Sequence, residues 1–145
     1  MADQSHLYET SVQWTEARRG ALESSARPTV AIGAPPEFGG TADVWSPEHL
    51  CVAAVNACVM LTFLTIASNS KVAVRSYTAT ATGTLEKADG RSFEITRIEV
   101  RPRVGIGADV DRAKLERLLQ MAERNCYVSN SLKGTVSIRP EIVVE

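Results

Sequence analysis

Aromatic residues are scarce in this chain of 145 residues, at 6%, and neither sign of charge prevails, with 16 Lys and Arg against 17 Asp and Glu. No basic cluster and no interleaving of basic with aromatic residues is found. This excludes nucleic acid as the main partner and leaves a small molecule or another protein. The opening MADQSHLYET has no cationic stretch followed by an apolar one. It is therefore not expected to be a secretory signal, and a cytoplasmic protein is expected. Only two histidines are present, and the three cysteines show no Cys-x-x-Cys spacing. His49 precedes Cys51 by two residues, yet this is too little for a zinc cluster, and no metal is expected. No Gly-rich loop leads into a helix in a nucleotide-binding pattern, and no Ser-His-Asp arrangement can be argued, so no cofactor is implied. Repeats and low-complexity segments are absent.

What is present is enough apolar material, 44% of residues, for one globular domain over residues 1–145. Residues 7–14 alternate, with Tyr8, Val12 and Trp14 on one face, and predict a strand. GAPPEFGG, residues 33–40, predicts a loop after a short strand around Val30 and Ile32. A long helix follows. Ser46 suits its N-cap, Pro47 its first position, and Glu48 the positive end of its dipole. From Leu50 to Ala67 this helix is almost wholly apolar, long enough to raise the question of a membrane span. Ala, Cys, Asn and Thr dilute its hydrophobicity and the remainder of the chain reads as soluble α+β. No membrane is therefore implied, and the helix is expected at the centre of the fold or of an oligomer.

Residues 72–106 predict two long strands joined at Ala88-Asp89-Gly90. The inward face changes between Phe93/Ile95 and Ile98/Val100, which predicts a bulge near Thr96 or Arg97. A second helix places Leu115, Leu118, Leu119, Ala122 and Cys126 on one face, so the third thiol points inward. GTVSIRPEIVVE closes the chain as a strand that Pro140 restricts to an edge or a bulge.

Three cysteines in a chain expected in the cytoplasm point to redox or catalytic chemistry rather than a disulfide scaffold. Cys51 and Cys58 lie seven residues apart on one helix. Their Cα atoms are then about 10 Å apart, beyond the roughly 7 Å reach of a disulfide. If either pairs, Cys126 is the remaining partner. Geometry alone does not choose between them.

SPEHLCVAAVNAC at residues 46–58, EFGG upstream and CYVSN at residues 126–130 before a final strand together resemble the OsmC/Ohr family of thiol-dependent peroxidases. The resemblance runs over nearly the whole chain. It implies an α+β fold of curved antiparallel sheets around two central helices, in an intertwined homodimer. Cys58 then matches the peroxidatic cysteine, Cys126 the resolving cysteine and Glu48 the carboxylate that helps hold the catalytic arginine. In TEARRGALES that arginine is Arg18, with Arg19 as the neighbouring alternative. The implied activity is reduction of organic hydroperoxides, with a dithiol of lipoyl or other type restoring the enzyme. Tyr127 stands where many relatives carry Pro, and Cys51 reads as a packing residue. The alternatives are a protein of the same fold that binds an apolar ligand without catalysis, or a thiol redox sensor.

The chemistry agrees with these residue types. A peroxidatic cysteine reacts as thiolate, and a permanently charged arginine lowers the thiol pKa and polarises the O–O bond. Glu48 and Cys58 are ten residues apart, about 15 Å along one helix. They cannot both touch one guanidinium. An antiparallel crossing of two copies about a two-fold axis near Ala53 would set Glu48 of one chain beside Cys58 of the other, with Ala53, Ala54 and Ala57 letting the backbones approach.

Overall fold

The computed structural model describes residues 4–145, so the first three residues of the N-terminal stretch read above lie outside the described residues. The chain gathers into two compact units, Met1–Leu50 and Cys51–Glu145.

The first unit is built on a three-stranded antiparallel sheet in the order β1 (Ser11–Glu16), β2 (Arg19–Glu23), β3 (Val30–Gly33). The predicted strand at 7–14 is displaced: β1 begins at Ser11, and all six of its residues are exposed. Alternation marks a face that gains by being covered. It does not say that the same chain covers it, and Val12 and Trp14 remain 66% and 75% exposed. RGALE, with little apolar alternation of its own, gives no sequence sign of β2.

The loop after β3 holds one 3-10 turn, Pro36–Phe38. Its two glycines have separate reasons. Gly39 ends the turn at φ 85, in the left-handed region, and a Cβ on Gly40 would stand 1.6 Å from the Ala34 carbonyl oxygen. The helix start is as expected: Ser46 Oγ accepts from the His49 amide at 3.1 Å, and the Ser46 carbonyl accepts from Leu50. The helix α1 runs over Pro47–Asn69.

In the second unit, β4 (Val74–Lys87) and β5 (Phe93–Ile106) form a long antiparallel hairpin. Thr84 pairs with Arg97 and Leu85 with Ile95, which leaves Thr96 as the extra residue of a bulge, where the change of inward face placed it. After β5 come α2 (Arg112–Asn125), a single turn α3 (Tyr127–Asn130), β6 (Thr135–Ile138) and β7 (Glu141–Val144). Asp111 caps α2 by accepting from the Ala113 amide at 3.0 Å. Leu115, Leu118, Leu119, Ala122 and Cys126 are all buried, as their spacing predicts.

The α+β fold with antiparallel sheets is as expected, and the end of the chain adds a parallel part to it. β6 and β7 both pair with β5 in parallel. The helical segment between β5 and β6 reverses the chain, so the strand that follows returns in the direction of β5, as in any strand-helix-strand crossover. Pro140, with no N–H to donate, divides what would be one strand into two.

α1 buries a single stripe, Val55, Val59, Phe63 and Ala67. Its lower half packs with Ile98, Val100 and Cys126, and its upper half with Val104, Ile106, Leu115, Leu119 and Ile142. The expectation of burial on nearly all sides is not met within the chain: Ala54, Ala57, Leu61, Thr65 and Ser68 are exposed. With a mean hydropathy of 2.2 over an 18-residue window, α1 is long and apolar enough to cross a bilayer by length and composition, a test that core helices also pass.

Candidate active site

Cys58 sits on α1 one turn before Thr62. Cys126 ends α2 and is wholly buried, in the cluster against which Cys58 packs. All three cysteines are free thiols. Burial alone would push Cys58 upward. The Cys126 thiol, the Val128 amide, the Thr62 hydroxyl and the Tyr127 amide act as donors toward its sulfur, and together they hold its pKa below the ordinary thiol value. The Thr62 oxygen lies 3.9 Å from the sulfur. Cys126 moves the other way: burial first, then the neighbouring Cys58 sulfur, push its pKa up, against the hydroxyl and amide of Ser129. The pair is thus polarised, with ionisation favoured at Cys58 over Cys126. Cys58 opens into a cleft of about 650 Å³ walled by Ala57, Leu61, Thr62, Ile66, Met121 and Tyr127.

Arg18, Arg19 and Glu48 line a second cleft, also of about 650 Å³, within the first unit and alongside Val12, Trp14, Ile32 and Phe38. The two arginines are not equivalent. Arg19 Nη1 donates to Asp43 Oδ1 at 2.9 Å and Oδ2 at 3.2 Å, and to Thr41 Oγ1 at 2.9 Å. The Arg19 guanidinium and the Thr41 hydroxyl hold the Asp43 carboxyl at about 2. Arg18 makes no ion pair among the described residues. Glu48 Oε1 is buried without a hydrogen-bond partner among them.

Of the residues singled out in the sequence, Arg18 and Glu48 line one cleft and Cys58 packs against the cluster that holds Cys126. Sequence reasoning missed the donors that lower the Cys58 pKa. Thr62, at i+4 on the same helix, was available from spacing alone. The amides of Tyr127 and Val128 were not, since they reach Cys58 only through the fold. Asp43 likewise carries no local signal. Cys51 is half-buried and lines neither cleft. The His49 ring nitrogen is 2.6 Å from Ser46 Oγ, which places the ring at the helix cap.

This is a small α+β chain with two thiols on a long apolar helix, Cys51 and Cys58, and a third, Cys126, closing the next helix. The chain belongs to the OsmC-like protein family, whose model matches residues 40–141. It is 25% identical over all of its length to the uncharacterized protein YmaD of Bacillus subtilis (strain 168), 97% of which is covered. An OsmC-like protein of unknown function from Vibrio cholerae O1 biovar eltor is also 25% identical, with a TM-score of 0.87 over 94% of this chain and 99% of that one. An organic hydroperoxide resistance protein from Elizabethkingia anophelis shares the fold at 18% identity, with a TM-score of 0.77 over 99% of this chain and 100% of that one.

Proposed function

We propose that the protein is a thiol-dependent peroxidase that reduces organic hydroperoxides, its two units working as one OsmC-like domain over residues 1–145. The observation that carries the reading is the polarised pair, with Cys58 depressed and Cys126 raised in one cluster. A depressed thiol is the nucleophile, and a protonated neighbour waits to resolve it.

The Cys58 thiolate attacks the distal oxygen of a hydroperoxide. The O–O bond breaks, the alkoxide leaves and takes a proton to become the alcohol, and Cys58 becomes a sulfenic acid. Cys126 then attacks the sulfenic sulfur, water leaves, and a Cys58–Cys126 disulfide forms. A dithiol reductant of lipoyl or other type exchanges with that disulfide and restores both thiols. Leu61, Ile66 and Met121 gain by burying an organic tail, which favours organic peroxides over hydrogen peroxide. Arg18 supplies the charge for the departing oxygen, since Arg19 is tied to Asp43, and Glu48 orients Arg18. These two residues come from a second copy of the chain. The exposed apolar face of α1, with its small residues Ala54 and Ala57, suits such a homodimer. A cytoplasmic setting keeps the thiols reduced.

The test is consumption of cumene or tert-butyl hydroperoxide by the purified protein with dihydrolipoamide, compared with hydrogen peroxide. The expected outcome is dithiol-dependent turnover that is faster for the organic peroxides. A second reading, an apolar-ligand protein without catalysis, draws on Val12, Trp14, Ile32 and Phe38 in the first cleft. No consumption of any peroxide would favour it. Oxidation of Cys58 without recovery by dithiols would favour a thiol sensor.

A further inference from the structure

The turn that carries Arg18 is unusual in its backbone. Ala17 has φ 47, in the left-handed region that a side chain bearing a Cβ rarely adopts. The pairing of Glu16 with Arg19 closes a two-residue turn that calls for this conformation, and a side chain adds to the hold. The Trp14 indole Nε1 donates to the Ala17 carbonyl at 2.9 Å. The ring of Trp14 is largely exposed, so burial gives it little reason to sit where it does. Its N–H is the part of the side chain with a fixed partner. On the other side of the turn the Arg18 carbonyl accepts from the Ala34 amide at 3.1 Å, and the next guanidinium, that of Arg19, is bound to Asp43. The backbone is thus pinned before and at Arg18, while the Arg18 side chain is left to the cleft it shares with Trp14.

We propose that Trp14 is a positioning residue for Arg18: its indole N–H holds Ala17 in the left-handed conformation, and this fixes the direction in which the Arg18 guanidinium leaves the turn. The inference rests on the peroxidase reading, in which Arg18 meets the departing oxygen. It adds a residue that acts through Arg18.

Trp14→Phe keeps a ring and removes the donor. The full-length protein is compared with this variant by kcat/KM for cumene hydroperoxide with dihydrolipoamide, and by the rate of tryptic cutting at Arg18–Arg19. Trp14→Phe is expected to lower kcat/KM about tenfold, the order set by one lost hydrogen bond, and to speed cutting, with Tm unchanged. Glycine adopts the left-handed region freely, so Trp14→Phe combined with Ala17→Gly is expected to recover most of both. A role in ring packing alone would not be rescued by that glycine. Unchanged kcat/KM and cutting in Trp14→Phe, or a loss that Ala17→Gly does not relieve, would overturn the proposal. If Trp14→Phe fails to fold, benzothienylalanine at position 14 keeps the indole shape without the N–H and is subject to the same outcomes. If the wild-type protein turns over no peroxide, the peroxidase reading falls. Cutting then still decides whether Trp14 holds the turn.

Discussion

The two clefts are equal in volume and opposite in lining. The first holds two arginines and a carboxylate with no sulfur, and the second holds Cys58 with no charged side chain among its walls. The difference separates two tasks that a peroxidatic cysteine needs done. Lowering the Cys58 pKa falls to neutral donors from the second unit alone: a thiol, a hydroxyl and two amides. Such donors stabilise a charge already sitting on sulfur. The charge that develops on the departing oxygen needs a cation, and the second cleft offers none. Ionisation of Cys58 and its reaction with peroxide should therefore respond to different substitutions.

The largest break in this comparison is at the sulfurs. Cys58→Ser is expected to abolish turnover, whereas Cys126→Ser leaves one round of peroxide reduction and traps a sulfenic acid, read by dimedone labelling and mass spectrometry. Equal single-turnover rates for wild type and Cys58→Ser would end the assignment. Next come the arginines. Arg18→Ala should slow Cys58 oxidation by about two to three orders of magnitude, and Arg19→Ala much less, because Arg19 is already spoken for by Asp43. The reverse result in stopped-flow oxidation would transfer the role to Arg19.

A subunit-exchange experiment sharpens the comparison by asking whether the two linings meet across chains. Glu48→Ala mixed with Cys58→Ser gives a mixed dimer with one doubly lesioned site and one intact site. At equal amounts half the dimers are mixed, so about a quarter of wild-type turnover should appear, following the symmetry argument for a shared interface. Proven exchange without a gain over both parents would rule out the shared site.

The smallest effect is on ionisation alone. Because the native Cys58 pKa lies below the ordinary thiol value, alkylation by iodoacetamide should reach its plateau at a lower pH than a free thiol, near 8.5. By linkage, the native thiolate contributes stability that is present above the unfolded pKa and lost as pH falls through the native one. Thr62→Val removes one neutral donor. It should move the alkylation midpoint upward by less than about one pH unit, a several-fold loss of rate at pH 7. An unmoved midpoint would show that the hydroxyl 3.9 Å away takes no part.

Local signals proved readable wherever one segment carries its own physics. Ser46 and Pro47 mark the start of α1, the Leu115–Leu118–Leu119–Ala122 stripe marks α2, and the change of inward face marks the bulge at Thr96. Features settled by a distant partner were not readable. Whether the strand after Gly134 runs parallel or antiparallel depends on its neighbour, and nothing in TVSI names β5 as that neighbour. The same holds for the site. The resemblance selected Cys58 and Cys126, but their opposite pKa directions depend on burial and on the loop amides of residues 127 and 128. Arg18 and Arg19 are adjacent and alike in sequence. Asp43, across a loop, is what tells them apart.

Cys58 and Cys126 lie 68 positions apart along the chain. A bond between them would close a loop of that length and take from the unfolded chain a conformational freedom worth about 4 kcal/mol. Each proposed catalytic cycle would thus tie and release a large part of the polypeptide. The oxidised form would be the harder one to unfold, and the reductant would return the enzyme to its looser state at every turnover. A protein working under peroxide stress would then be most resistant to unfolding at the moment its thiols are spent.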